Sequence, residues 1–221
     1  MGWGIAFASE ASSIRNGFPY GDYQYIYENL KGELLLWGVP LWDSLSYTFL
    51  AYASYAAAVF VLQKREAYLV KREGENLFLK TRTSFKVLFL SILLMTGIDI
   101  IIDPLTNLGD RWFLGKIYYY PKGGFYFDVP LSNFLGWALV AFLIVFLFQR
   151  IDSFLHQRGK IVPIENWQGL RGWLGVFLYL GVYLFNWGIT IYLKEWKLVI
   201  ADFLLLSPLL VILIRKLSRK N

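Results

Sequence analysis

Long apolar runs constrain this chain more than any other feature. Four stand out, roughly Leu41–Leu62, Phe85–Ile102, Leu131–Phe148 and Trp173–Leu193, and a shorter fifth covers Leu198–Ile214. A bilayer-crossing helix needs about 20 apolar residues, with a range of about 17–25. Each run is too long for a globular strand. The opening segment, Met1–Ala8, is apolar but too short to cross alone. It reads as the end of a helix that begins further upstream, or as a half-inserted segment, and it has no basic n-region of a signal peptide. The expected fold is therefore all-α. It is a polytopic transmembrane bundle of five full spans plus a short N-terminal helical segment, forming one integral-membrane domain over 1–221.

Composition agrees. Of the 221 residues, 57% are hydrophobic and 17% charged, against about 45–50% and about 25% in soluble domains. Disorder and a soluble secreted fold are excluded. The absence of cysteine removes disulfides, Cys-ligated zinc, iron–sulfur clusters and thiol nucleophiles. His156 is the one histidine, too few for a histidine-box di-iron site, and its polar neighbours mark a solvated loop. No Gly-rich phosphate motif is present, so no nucleotide cofactor is expected.

The net charge of +6 is no nucleic-acid signature, because the basic residues sit in short segments between apolar runs. Fifteen of the 22 Lys and Arg fall in Gln63–Lys86, Arg150–Arg171 and the tail from Arg215. The positive-inside rule puts these segments and the C-terminus in the cytoplasm of a cell-membrane protein. The loops Ser12–Val39 and Pro104–Val129 are then outside.

An internal repeat accompanies this layout. Val39-Pro40-Leu41 opens one helix and Val129-Pro130-Leu131 opens another, 90 residues on. Proline suits a first helical turn, where its missing N–H costs nothing. Glu10 precedes Asp43 by 33 residues, and Asp99 precedes Asn133 by 34. Two parallel helix–acid–loop–helix units, over 1–63 and 84–150, are expected, followed by a C-terminal helix pair at 172–214.

Seven polar residues fall at similar depth near the outer helix ends: Glu10, Asp43, Asp99, Asp103, Asn133, Asn186 and Asp202. Acids at membrane depth are costly and usually face a bundle interior. Asp99 and Asp103, at i and i+4, share one helix face. Asp43 is a candidate helix cap and Asp103, before Pro104, a candidate helix end. The outer loops combine turn residues with aromatics, as in Pro19-Tyr20-Gly21-Asp22-Tyr23-Gln24-Tyr25 and Tyr118-Tyr119-Tyr120-Pro121, and fit lids over an apolar slot.

These residues carry a resemblance. Ala8-Ser9-Glu10, Arg15 to Tyr25, Val39-Pro40 with Asp43-Ser44, Asp99-Ile100-Ile101-Ile102-Asp103-Pro104 followed by Trp112, and Gly124 to Trp137 resemble the membrane carotenoid-biosynthesis family. The type is that of the carotenoid 1,2-hydratases (lycopene/γ-carotene 1'-hydratase and bisanhydrobacterioruberin hydratase). The likeness runs from about residue 2 to 150. The chain departs from the family in having Ile98 where Trp often precedes the first Asp, and in having less helix before Glu10.

The resemblance implies water addition across the terminal C1=C2 bond of an acyclic carotenoid ψ-end. That chemistry needs a Brønsted acid and neither a metal nor a redox cofactor. Two carboxyl groups one turn apart in an apolar helix titrate as a pair, and a buried carboxylic acid can stay neutral at pH 7. Asp99 is the expected proton donor, with Asp103 or Asp43 holding the attacking water. Glu10 and Asn133 orient these groups, and Arg15 offsets surplus charge. Trp42, Tyr47, Tyr126 and Trp137 would stabilise the cation through their π faces, and Tyr23 and Tyr25 would line the substrate site. The expected partners are a lipophilic carotenoid within the bilayer and membrane lipid.

Two other readings compete. One is a small-molecule-binding membrane transport subunit, which would dock on a partner through small residues such as Ala51–Ala58. The other is a different isoprenoid enzyme, such as a membrane cyclase, in which the cation closes a ring.

Overall fold

The computed structural model describes residues 1–63, 78–159 and 170–218. Much of the basic sequence behind the orientation argument, within 64–77, 160–169 and 219–221, lies outside these residues. Six helices carry the fold: α1 (Gly2–Asn16), α2 (Leu41–Leu62), α3 (Phe85–Asn107), α4 (Leu131–Gln157), α5 (Leu170–Tyr192) and α6 (Trp196–Ser218). Five of them, α2 to α6, are long and apolar enough to cross a membrane. Their outward faces are strongly apolar, with Leu135 64% and Leu204 63% exposed. The fold is thus an all-α, multi-pass membrane bundle, and lipid is the solvent that such faces need.

α2 and α3 form the centre. α2 packs on α1, α3 and α5, while α3 packs on α4 and α5, and α6 packs mainly on α5 with smaller contacts to α2 and α3. The Ala51–Ala58 stretch, considered above as a docking face, is consumed inside the bundle: Ala53, Ala56, Ala57 and Ala58 are fully buried. It meets α5 at Gly175, where an added Cβ would lie 2.2 Å from that of Ala56. Only a glycine admits this approach.

Helix ends differ from the sequence expectation in three places. α1 runs to Asn16 and stops at Gly17, whose φ of 77° is the left-handed cap that glycine adopts freely. α3 continues through Pro104 to Asn107, so Asp103 lies inside the helix and does not end it. Proline removes one i→i−4 bond, and the following turn is held by Thr106 Oγ1 donating to Ile102 O (2.9 Å) and Trp112 Nε1 donating to Leu105 O (3.1 Å). α4 extends to Gln157, which makes His156 a half-buried helical residue, not a loop histidine.

Both long loops cap the same end of the bundle. β1 (Gln24–Tyr25) pairs antiparallel with β4 (Tyr118–Tyr119), in the register Gln24↔Tyr119 and Tyr25↔Tyr118. Ile26 N donates to Ile117 O (2.9 Å), and Lys122 Nζ reaches Asp22 Oδ2 (2.6 Å). A small hairpin of β2 (Leu35–Leu36) and β3 (Val39–Pro40) leads the first loop into α2. At the opposite end, Arg82 pairs with Asp152 at 2.9 Å. Gln149 Nε2 and Tyr55 Oη both donate to Arg82 O.

Candidate active site

The paired loops deliver tyrosines onto the buried acids. Side chains two residues apart on an extended segment point to one side, and each loop carries a Tyr-x-Tyr element at the strand pairing. In the first, Tyr23 and Tyr25 both donate to Glu10 Oε2, and Tyr25 also donates to Asp43 Oδ2 at 2.5 Å. Tyr47 of α2 donates to the other oxygen of Glu10. In the second, Tyr118 donates to Asp103 Oδ1 (2.6 Å) and Tyr120 to Asp103 Oδ2 (2.5 Å). Asn133 Nδ2 bridges Asp99 Oδ2 (2.9 Å) and Asp103 Oδ2 (2.6 Å). Two carboxylate nests result, each fed by phenols from its own loop. The rings of Tyr23 and Tyr118 meet edge-on between them, with centroids 5.8 Å apart.

Glu10, Asp99, Asp103 and Asn133 are buried, whereas Asp43 is half-buried. Among the described residues no Lys or Arg pairs with any of the four carboxyl groups, in contrast to Asp152 at the other end. Burial first, and then the charge of Asp43, pushes Glu10 up to about 8. Burial also pushes the phenols of Tyr23, Tyr25, Tyr118 and Tyr120 above their ordinary range, and neighbouring carboxylates add to the effect. These tyrosines are therefore fixed hydrogen-bond donors at neutral pH.

The nests border a cavity of about 580 Å³. Its polar wall holds Glu10, Asp43, Asp103 and Asn133, and its remaining surface is mainly apolar and aromatic. Tyr47 and Trp137 lie on that wall and stack at 4.1 Å with 12° between their planes. Tyr20 sits behind them because Gly136 lets the first loop lie on α4: an added Cβ there would be 2.6 Å from the Tyr20 ring and 2.8 Å from Pro19 O. Tyr20 shares a 2.8 Å hydrogen bond with Ser9.

Most residues singled out in the sequence converge here, with six differences, one of them Tyr25, which bonds Glu10 and Asp43 but does not itself line the cavity. Asp99 is fully buried behind Asp103 and does not line the cavity. Arg15 is exposed and pairs with no carboxylate among the described residues. It donates to Ala11 O (2.5 Å) and Trp37 O (2.9 Å), as suits an arginine in the last turn of a helix. Tyr126 lies in a tight turn closed by Val129 N donating to Tyr126 O (2.9 Å), and its ring packs on Phe134, away from the cavity. Asp43 accepts from Tyr25 and caps no helix. Trp42 and Asn186 line the cavity, whereas Asp202 is buried elsewhere.

Sequence reading missed Tyr118 and Tyr120 as acid partners, and it missed α5 as a cavity wall. The twice-used Tyr-x-Tyr spacing was the available signal for the first. No three of the described His, Cys, Asp and Glu residues group closely enough to hold a metal ion.

Fold and site together define a polytopic membrane protein with buried acids and phenols bordering a mainly apolar cavity. The chain belongs to the carotenoid biosynthesis protein family, whose model matches residues 1–209. No match was found among the curated proteins or among the solved structures.

Proposed function

We propose that this protein is a carotenoid 1,2-hydratase, which adds water across the terminal C1=C2 bond of an acyclic carotenoid ψ-end. The observation that carries the reading is Asp103, a carboxyl group with two phenol partners and one amide partner, on the wall of an otherwise apolar, aromatic cavity. Family membership supplies the pathway. The proposal also makes the site end of the bundle the outer one, with the C-terminus in the cytoplasm of a cell-membrane protein, and derives residues 1–63 and 84–150 from one duplicated unit.

The Asp99–Asp103 pair carries one proton. The cavity lining favours Asp103 as the group that delivers it, with Asp99 behind it as its partner across Asn133. The alkene π pair takes this proton at C2 and leaves a tertiary cation at C1. The stacked Tyr47 and Trp137 stabilise that cation through their π faces. A water oxygen bonds to C1, and its surplus proton goes to the Glu10–Asp43 nest, aligned by Tyr23 and Tyr25. Return of one proton from this nest to the Asp99–Asp103 pair closes the cycle, so the net reaction is alkene plus water to tertiary alcohol.

Pigment analysis of a lycopene-accumulating bacterial host expressing the chain tests this. A product heavier by one water is expected. An isomer of unchanged mass refutes hydration in favour of a cyclase. Unaltered lycopene beside inserted protein refutes it for this substrate.

A further inference from the structure

The cavity is closed on the loop side and open on the lipid side. Tyr20, Tyr23 and Tyr120 are at most 8% exposed and lie beneath the paired loops. By contrast, cavity-lining residues of α2 and α5 face outward: Phe49 is 45% exposed, and Phe177 and Phe185 are each 52% exposed. α2 and α5 touch at Ala56 and Gly175 and run antiparallel. The lining residues lie on the site side of that contact, from Trp42 to Leu50 on one helix and from Phe177 to Asn186 on the other. The cavity thus occupies a wedge of space between the two helices on the site side of their contact.

The outward-facing lining carries no charged side chain. Its residues are Trp42, Phe49, Phe177, Leu178, Gly181 and Phe185. A cavity of about 580 Å³ suits a ligand of drug size, for which pockets run from about 300 to about 1,000 Å³. An end group fits such a space, and a whole carotenoid does not. Gly181 is exposed at this opening, and a Cβ added there meets nothing within 4 Å.

We infer that the wedge between α2 and α5 is a lateral portal that admits one end of an acyclic polyene from the bilayer, with Gly181 keeping the mouth open and the rest of the chain left in lipid. The inference rests on the proposed carotenoid reading for its ligand, but it concerns access and not the reaction.

Gly188 provides a matched control. It lies two turns along α5, is also exposed with open space at its Cβ, and does not line the cavity. The full chain is expressed in the lycopene-accumulating host as wild type, Gly181→Phe and Gly188→Phe, with equal inserted protein verified. Product and the lycopene that co-purifies with each protein are both measured. Gly181→Phe is expected to lower both by at least about tenfold, while Gly188→Phe stays within about twofold of wild type. Equal values for Gly181→Phe and wild type overturn the portal.

If wild type makes no product, the hydratase reading fails and co-purified lycopene alone decides. Retention by wild type and Gly188→Phe with loss in Gly181→Phe supports the portal. Equal retention, or none in any of the three, overturns it. Gly181→Val replaces Gly181→Phe under the same criteria if the larger side chain prevents insertion.

Discussion

Asp103→Asn separates the chemical role of this carboxyl group from its structural one. In the wild type its two oxygens accept from Tyr118, Tyr120 and Asn133. Asparagine offers one acceptor oxygen and one NH2 group. A phenol can turn its O–H and accept from that NH2, which leaves one buried donor poorly satisfied. The expected stability loss is about 1–3 kcal/mol, small enough for the bundle to insert. A general acid contributes about 10²–10⁴-fold to rate. At about 1.36 kcal/mol per tenfold, its removal adds about 3–5 kcal/mol to the barrier. Product in the lycopene-accumulating host is read by chromatography and mass spectrometry, and inserted protein by fluorescence-detected size exclusion. Hydrated product should fall at least about 100-fold at near-normal protein level. Retention of more than about a tenth of the product would refute delivery of the proton by Asp103.

Four further outcomes follow from the same geometry. Glu10 rises from 4.5 to about 8 on burial, so the folded state holds a proton that the unfolded chain has released. Its stabilising contribution is complete below pH 4.5 and is lost as pH rises toward about 8; melting in detergent should therefore fall across this window in wild type and less steeply in Glu10→Gln. Tyr47→Phe keeps the stack on Trp137 but loses the bond to Glu10, and should cost about tenfold or less in product, a loss worth one hydrogen bond. Gly175→Val drives a side chain into Ala56, and should lower stability by about 1–3 kcal/mol or more, as overpacking does, measured as the detergent melting temperature. Lys216 Nζ donates to the carbonyls of Phe60, Val61 and Gln63 at the end of α2; Lys216→Met should remove up to about 2 kcal/mol of helix-end stabilisation, read as a lower melting temperature, and leave the product unchanged.

How far the sequence reaches depends on the range of the interaction. The five spans were legible because a bilayer demands contiguous apolar length, which composition along the chain displays directly. The Asp99–Asp103 pair was legible because i and i+4 share a helix face whatever the tertiary fold. Tyr118 and Tyr120 were not, since only the pairing of β1 with β4, across more than ninety residues, sets them against Asp103. Arg15 misled for a local reason: a guanidinium near a helix end has backbone carbonyls closer than any carboxylate. The Ala51–Ala58 stretch showed that a close approach was coming, but its partner, Gly175 of α5, is one glycine among 19. The cavity wall on α5 was hidden in the same way, because Phe177, Gly181 and Phe185 have the residue types of any lipid-facing stripe.

The proposed duplication explains why the two nests are alike in plan and unlike in chemistry. Asp43 and Asn133 occupy matching places, three residues after each Val-Pro. Tyr23 and Tyr25 in one loop answer Tyr118 and Tyr120 in the other, and the antiparallel pairing of β1 with β4 joins them near the middle of the site. An aspartate at 133 would add a third carboxylate beside Asp99 and Asp103, with no cation among the described residues to offset it. Asparagine instead supplies the NH2 group that holds the two carboxyl groups together. The first unit keeps its acid at 43 and shares one phenol, Tyr25, between Glu10 and Asp43. A duplicated acid site can in this way separate into a half that gives a proton and a half that receives one, through an Asp-to-Asn difference at the matching position and an added carboxyl group, Asp103, where the first unit has Ile14 four residues after its acid. Asn133→Asp is the substitution that would undo that division. It should abolish hydrated product even where the protein still inserts, and wild-type product from Asn133→Asp would show that the two halves do not divide the work.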